Sequence, residues 1–455
     1  MLKVLSVASE CVPLVKTGGL ADVVGALPRA LAPHGVEMRT LLPGYGAVMD
    51  ALEGAEPLEV DLPEGRVLGG RAAGLDLFVL DAPDLFAREG GAYLDPEGRD
   101  WPDNPERFAA LSLAADAVGA IWGADVIHAH DWQAGLAPLF ARRRGGPSVM
   151  TIHNVAFQGN APMDRAGAMH LLPEDLSGEV AEYWGQISTL KAGIAVADAV
   201  TTVSPTYAAE LATDDFGMGL AGLIRHRGAD VHGILNGIDT EAWAPPYGDP
   251  AGKAAHRAAL LAEFGLPDTD GPLCVVVSRL TLQKGLDLLL QALPALVDQG
   301  GALALLGTGD VAIEAGFREA ASHPLVGVRI GYDEALSHRM MAGGDAILIP
   351  SRFEPCGLTQ LYGLHHGTVP VVANVGGLAD TVIDANDAAL RADAATGIKL
   401  RDVTTHELAR ALHKTLALHR NKEVWTGIQR RGMAHPVGWD VSAAEYAALY
   451  RRISG

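Results

Sequence analysis

Two cations stand five positions apart in Val277-Ser278-Arg279-Leu280-Thr281-Leu282-Gln283-Lys284-Gly285. In a loop between a strand and a helix, Arg279 and Lys284 have the charge to clamp a diphosphate and neutralise it as it departs; the plainer reading is a solvated basic loop. Glu354 lies in Pro350-Ser351-Arg352-Phe353-Glu354-Pro355-Cys356-Gly357-Leu358-Thr359-Gln360, directly after an apolar run. Gly357, Leu358 and Thr359 would open the next helix with free N–H groups, an anion seat. A carboxylate beside it suits a sugar phosphate, with helix capping as the alternative role for Glu354. Near the N-terminus, Lys16-Thr17-Gly18-Gly19-Leu20 combines a mobile cation with paired glycines that let the backbone approach a ligand. It is neither a Walker loop nor a GxGxxG fingerprint, so an ordinary strand-to-helix turn explains it equally well. His128-Ala129-His130-Asp131-Trp132-Gln133 and Thr151-Ile152-His153-Asn154 put His, Asp and Asn where strands end, suited to sugar hydroxyls or to moving a proton. Packed, satisfied histidines are the competing reading. Tyr93, Trp101, Tyr183 and Trp184 fall in polar insertions, as stacking platforms for pyranose rings or as loop anchors.

These groups need elements to position them. Leu2–Ala8, Met38–Leu42, Leu75–Asp81, Asp125–Ala129, Ser148–His153, Ala199–Ser204 and Val231–Leu235 read as strands. Several are apolar throughout, the pattern of strands covered on both faces. Leu20, Val23, Val24, Leu27 and Leu31 share one helix face. Such alternation implies a parallel, doubly wound sheet. Ala244–Pro250, rich in Pro and Gly, reads as a linker. The pattern restarts with strands at Leu273–Ser278, Ala302–Leu306, Val326–Ile330, Ala346–Pro350 and Val369–Ala373, and with a helix face at Leu286, Leu289, Leu290 and Leu293. Trp439, Ala443, Tyr446, Tyr450 and Ile453 mark a last helix, placed to return to the first domain. Two Rossmann-like domains are therefore expected, over 1–244 with the helix 437–455, and over 245–436. Gly18-Gly19-Leu20-Ala21-Asp22 recurs as Gly376-Gly377-Leu378-Ala379-Asp380, at strand ends where open α/β sheets bind ligands.

Composition excludes several classes. The 455 residues carry 35 Lys and Arg against 55 Asp and Glu, a net charge of −20. Nucleic-acid binding draws on a basic excess, so no such partner is expected. Cys11, Cys274 and Cys356 form no CxxC pair, which argues against a disulfide framework or a zinc ribbon and for reduced thiols in a cytoplasm. No apolar run approaches the roughly 18 residues of a membrane span. Met1–Ser9 is interrupted by Glu10 and reads as a buried strand rather than a signal peptide. The HxHD group lacks further ligands at recognisable spacing, so no metal site is expected, and no G-x-S-x-G elbow is present.

Lys16 to Leu20, His130-Asp131-Trp132, His153-Asn154, Asn236-Gly237-Ile238-Asp239, Ser278-Arg279, Lys284-Gly285, Gly331-Tyr332 and Phe353 to Thr359 occur in order along the whole chain. In this set the sequence resembles the glycogen and starch synthase family. The resemblance implies an α/β GT-B fold, two Rossmann-like domains facing a central cleft, with the acceptor side first and the donor side second. It implies glucose transfer from ADP-glucose to the non-reducing end of an α-1,4-glucan such as glycogen, with retention of configuration, no cofactor and no required metal; UDP-glucose is the runner-up donor. Arg279 and Lys284 would then bind the diphosphate and Glu354 the transferred glucose, with Cys356, Gly357, Leu358 and Thr359 lining the donor. His153, Asn154 and Asn236 would hold glucosyl hydroxyls, Tyr332 would pack on adenine, and Lys16, Gly18, Gly19 and Asp22 would complete the donor site. Asp131 would serve the chemistry and, with Tyr93, the acceptor. Two positions depart from the family pattern: Gln133 stands where many relatives have His, and Tyr362 where many retaining GT-B enzymes have a second Glu. An inert glucan-binding protein on the same fold, a glucan phosphorylase and a sucrose-forming transferase are the rival readings.

Overall fold

The computed structural model describes residues 1–455. The chain divides into two compact units, Met1–Asn236 with Trp439–Gly455, and Gly237–Gly438. No helix is long and apolar enough to cross a membrane, and the three cysteines are buried and unpaired.

The first unit is built on a nine-stranded sheet. Its strand order is Val231–Gly233, Ala199–Thr202, Ser148–Ile152, Val126–His130, Leu2–Val7, Val36–Pro43, Leu75–Asp81, Arg66–Ala72 and Glu53–Pro57. The first seven pair in parallel and the last two add an antiparallel edge. That edge was not expected, because Glu53–Pro57 is exposed throughout and shows no apolar run. The expected helix face exists: Gly19–Leu31 buries Leu20, Val23, Val24, Leu27 and Leu31. The last helix, Asp440–Ser454, packs Ala443, Tyr446 and Tyr450 with Val4, Val23, Leu27 and Val126. Fully burying each large side chain is worth about 1.5–3 kcal/mol, which holds this helix to the unit. The insertion around Tyr93 is folded by the buried Arg107, whose guanidinium donates to the Leu85 and Ala92 carbonyls and to Asn104 Oδ1 at 2.8, 3.1 and 2.6 Å.

The second unit holds a six-stranded parallel sheet, ordered Val326–Ile330, Ala302–Gly307, Leu273–Val277, Ala346–Ile349, Val369–Val372 and Ile398–Lys399. Ala302–Gly307, Ala346–Ile349 and Val369–Val372 are buried from end to end and Leu273–Val277 nearly so, which is why their sequences are apolar without alternation. The Pro/Gly stretch before Pro250 is not a slack linker, because polar and aromatic groups sew it down. The buried Lys253 ammonium donates to Tyr247 Oη, to the Met341, Ala342 and His366 carbonyls, and to Thr368 Oγ1, all at 2.8–3.2 Å. Trp243 is stacked between His338 and Tyr362, with ring centroids 3.8 and 3.7 Å away. Tyr362, at the position of the missing carboxylate, is thus committed to a ring stack.

Candidate active site

In the first unit, three strand ends carry the chemistry. After Leu2–Val7 the chain reaches the buried Glu10, whose Oε2 accepts the main-chain N–H of Thr17 and, at 3.0 Å, that of Gly18. Glu10 Oε1 accepts from Tyr93 Oη, which also lies 2.7 Å from Ser9 Oγ. One carboxylate therefore fixes the turn that leads into Gly18 and Gly19. A Cβ placed on either glycine meets nothing within 4 Å, so the turn is open on that side. Lys16 Nζ rests 2.8 Å from Asp22 Oδ1. The sequence reading gave Glu10 no role; the signal was there, a lone acid at the end of an apolar strand.

The neighbouring strands Val126–His130 and Ser148–Ile152 deliver Asp131 and His153. Asp131 has φ +55° and ψ −172°, a backbone region that is essentially glycine's, so the residue is held under strain. Its Oδ1 accepts from the His153 and Asn154 N–H groups at 2.7 and 3.3 Å. Burial pushes the Asp131 carboxyl up to about 7 although those two N–H donors pull it down. His130 Nδ1 lies 3.0 Å from His153 Nε2, and the His128 ring centroid is 4.1 Å from that of His130. His128 Nδ1 meets Tyr450 Oη at 2.8 Å, which ties the last helix to the stack. Burial holds the His128 and His153 imidazoles down to about 3 and His130 well below its ordinary range, so all three are neutral near pH 7. His130 Nε2, Gln133 Oε1 and Asn236 Oδ1 are buried without a protein partner. Such atoms are costly to leave unpaired.

Of the four aromatics expected near carbohydrate, Tyr93 is half-buried, hydrogen-bonded through its hydroxyl and packed near Phe108 and Trp132. Trp101 lies under the Arg88 and Arg107 guanidiniums, Tyr183 Oη donates to the Met218 carbonyl, and Trp184 is open, 85% exposed.

The second unit brings two loops together. Lys284 Nζ donates to both Glu354 oxygens, at 2.8 and 2.6 Å, and Ser351 Oγ donates to Glu354 Oε2 at 2.8 Å. Arg279 is exposed and has no acidic partner. The loops are laced by residues that sequence reasoning missed. Arg352 forks onto Asp287 at 2.6 and 2.7 Å, its N–H meets the Gln283 carbonyl at 2.8 Å, and Gln283 Nε2 donates to the Phe353 carbonyl at 3.1 Å. Gly285, at φ +67°, leaves room for the Pro350 carbonyl, which a Cβ would meet at 2.0 Å. Gln360 Nε2 props the Cys356 and Gly357 carbonyls at 3.0 Å each. No side chain caps the helix Thr359–His366; the Leu361 and Tyr362 N–H groups close onto the Leu358 carbonyl at 2.9 and 3.0 Å, which leaves those of Thr359 and Gln360 for an anion. Tyr332 is exposed, its hydroxyl 3.3 Å from Glu334. The arrangement offers two cations and an uncapped helix start beside a buried carboxylate, the chemistry of a sugar phosphate.

Parallel α/β sheets in two units, with side chains suited to hydroxyls and to phosphate on their strand-end loops, define a glycosyltransferase of the GT-B class. Residues 3–226 match the starch synthase catalytic domain family, and residues 271–417 match the glycosyl transferases group 1 family. Glycogen synthase from Paracoccus denitrificans is 58% identical, with all of both chains covered, and that from a Jannaschia species is 54% identical over 99% of each. The chain belongs to the glycogen synthase family. Among solved structures it is similar to the catalytic domain of starch synthase IV from Arabidopsis thaliana bound to ADP and acarbose, with TM-score 0.87, 30% identity and coverage of 100% of this chain and 99% of that one. Sucrose-phosphate synthase from Thermosynechococcus elongatus, at 20% identity and TM-score 0.64 over 99% of each chain, shares the fold.

Proposed function

We propose that this glycosyltransferase takes glucose from ADP-glucose and adds it, with retention of configuration, to the non-reducing end of an α-1,4-glucan. The observation that carries this reading is the Lys284–Glu354 pair beside the unpartnered Arg279 and an uncapped helix start. The ADP in the starch synthase IV structure supports the choice of base.

In the transfer, the bond between glucose C1 and the diphosphate oxygen breaks as the acceptor 4-hydroxyl attacks C1 from the same face. The hydroxyl proton passes to the departing phosphate oxygen, leaving ADP and a glucan longer by one residue. Arg279, Lys284 and the first-turn N–H groups at Thr359 stabilise the charge growing on the diphosphate, without a required metal. Glu354, held by Lys284 and Ser351, takes glucosyl hydroxyls, with Cys356, Gly357 and Leu358 along the donor and Tyr332 against adenine. His153, Asn154 and Asn236 hold further glucosyl hydroxyls; the neutral, buried His153 does so as a hydrogen-bonding group. Lys16, Gly18, Gly19 and Asp22 serve the donor. Asp131 positions His153 and serves the acceptor, and Tyr93 acts through Glu10 and the turn that Glu10 fixes. Glucan synthesis and three unpaired, buried thiols support a cytoplasmic location.

The test is incorporation of labelled glucose into glycogen from ADP-glucose and from UDP-glucose, with and without a chelator. ADP-glucose should be preferred and the chelator should change nothing. Preference for UDP-glucose, loss of activity with the chelator, or no incorporation from either donor would overturn the corresponding part of the reading.

A further inference from the structure

We propose that the second unit carries a separate binding site for a small phosphate-bearing anion, in a cavity walled by Asp384–Arg391, Lys399, Arg401 and the helix Thr405–Arg420. The cavity measures about 540 Å³, within the roughly 300–1,000 Å³ range of small-molecule sites. None of its lining residues belongs to the loops 279–285 or 350–359 that carry Lys284 and Glu354.

The argument is one of unmatched charge. Arg391, Lys399, Arg401, Arg410 and Lys414 line the cavity against Asp384 and Asp387, on a chain whose net charge is −20. Two of the five cations are matched: Lys414 Nζ lies 3.0 and 3.2 Å from the Asp384 oxygens, and Arg410 forks onto Glu407, with its closest contact 2.6 Å. The other three are not. Arg391 spends one N–H on the main-chain carbonyl of Asp387, at 3.1 Å. Lys399 Nζ donates to the Ala379 carbonyl; it is half-buried, and that burial lowers its pKa against the opposing pull of Asp380 and Asp384. The exposed Arg401 guanidinium makes no ion pair: Glu407, whose carboxyl its charge helps to lower, accepts only its main-chain N–H, at 3.4 Å. Arg391, Lys399 and Arg401 line one concavity without an ion pair of their own, and like charges held on one wall favour the entry of a counter-charge. Two guanidinium forks and one ammonium are the donor set that grips a phosphate dianion, the forks giving geometry and the lysine a point charge.

The test uses the full chain saturated with ADP, titrated calorimetrically with inorganic phosphate and, separately, with glucose 6-phosphate. One site per chain is expected. Affinity should fall at least about tenfold in the Arg391→Ala/Arg401→Ala double variant and stay unchanged in Arg279→Ala. Both substituted arginines of the double variant are exposed, so its folding is not at stake. Equal affinity for the two probes identifies phosphate itself as the ligand, and tighter binding of the ester adds the sugar to the recognition. No binding of either probe, undiminished binding in the double variant, or loss in Arg279→Ala would overturn the proposal. The Arg279→Ala arm separates this site from the donor loops, so the outcome does not depend on the glucosyl-transfer reading.

Discussion

Gly18-Gly19-Leu20-Ala21-Asp22 and Gly376-Gly377-Leu378-Ala379-Asp380 stand at the start of a helix in each unit. A Cβ on Gly18 or Gly19 meets nothing within 4 Å. One on Gly376 would lie 2.0 Å from the Glu354 carbonyl oxygen, at φ +43°, and one on Gly377 would lie 2.2 Å from that of Cys356. In the second unit the protein's own backbone demands the glycines, since the Glu354 loop packs onto them. In the first unit no protein atom demands the glycines, since the space beside them is open. The electrostatics divide in the same way. The first unit presents neutral imidazoles and unpaired buried acceptors; the second presents an ion pair with a spare cation. A pre-formed neutral pocket suits hydroxyls, whereas a laced ionic loop suits a leaving diphosphate.

The sharpest way to break this contrast is Lys284→Ala. With Lys284 acting as a preorganised charge on the leaving group, kcat in glucose incorporation should fall about 10²–10³-fold. The variant also strands the buried Glu354 carboxylate, so Lys284→Ala/Glu354→Gln is the companion. It should recover stability, since no unpaired charge remains, but not rate. Near-normal turnover in Lys284→Ala would reduce the pair to a structural tie. Gly376→Ala comes next. A backbone oxygen blocks the added methyl and the backbone is left-handed, so urea unfolding should show a loss of about 3–5 kcal/mol. A loss under about 1 kcal/mol would mean that the Glu354 loop yields easily and is not laced as described.

Much of this was legible before the structure. Apolar runs without alternation announced doubly covered parallel strands, and the i, i+3, i+4 spacing of Leu20 to Leu31 announced the first helix. Arg279, Lys284 and Glu354 were visible because charge directly after a buried strand is rare enough to stand out. What stayed hidden was contact between distant segments. Glu10 is bound by Tyr93, 83 residues away in sequence, and Arg352 finds Asp287 across 65. The two Gly-Gly pairs look identical because a sequence records the lack of a side chain but not what fills the space. The edge strand Glu53–Pro57 escaped because it is exposed throughout and carries no periodic signal.

Asp131 sharpens the picture of the first unit as a place hostile to charge. Burial holds its carboxyl at about 7 against an ordinary 3.8, so between those values the folded protein keeps a proton that the unfolded chain has released. The stability linked to this group is therefore full below about pH 4 and lost as pH rises through 7. Asparagine keeps an acceptor for the His153 and Asn154 N–H groups and carries no charge. Asp131→Asn should be more stable than the parent by about 2–4 kcal/mol at pH 8, with the gain shrinking toward zero near pH 4. Urea titrations at the two pH values decide this, and a gain that does not change with pH would mean that the carboxylate is not desolvated.

The smallest effect bears most directly on the first Gly-Gly pair. Gly19 is the first residue of the helix Gly19–Leu31, and nothing stands where its Cβ would be. Alanine there removes backbone freedom from the unfolded chain and improves helix propensity, so Gly19→Ala should raise stability by about 0.5–1 kcal/mol. If the empty space is the path of a donor, the same methyl stands in it. KM for ADP-glucose should then rise about tenfold, a binding loss near 1.4 kcal/mol, while kcat holds, because the methyl obstructs ground state and transition state alike. Stability rising while donor affinity falls is a signature that a purely structural turn does not produce. An unchanged KM would leave Gly18 and Gly19 as an ordinary strand-to-helix turn, and the likeness of the two Gly-Gly-Leu-Ala-Asp segments would then carry no functional meaning.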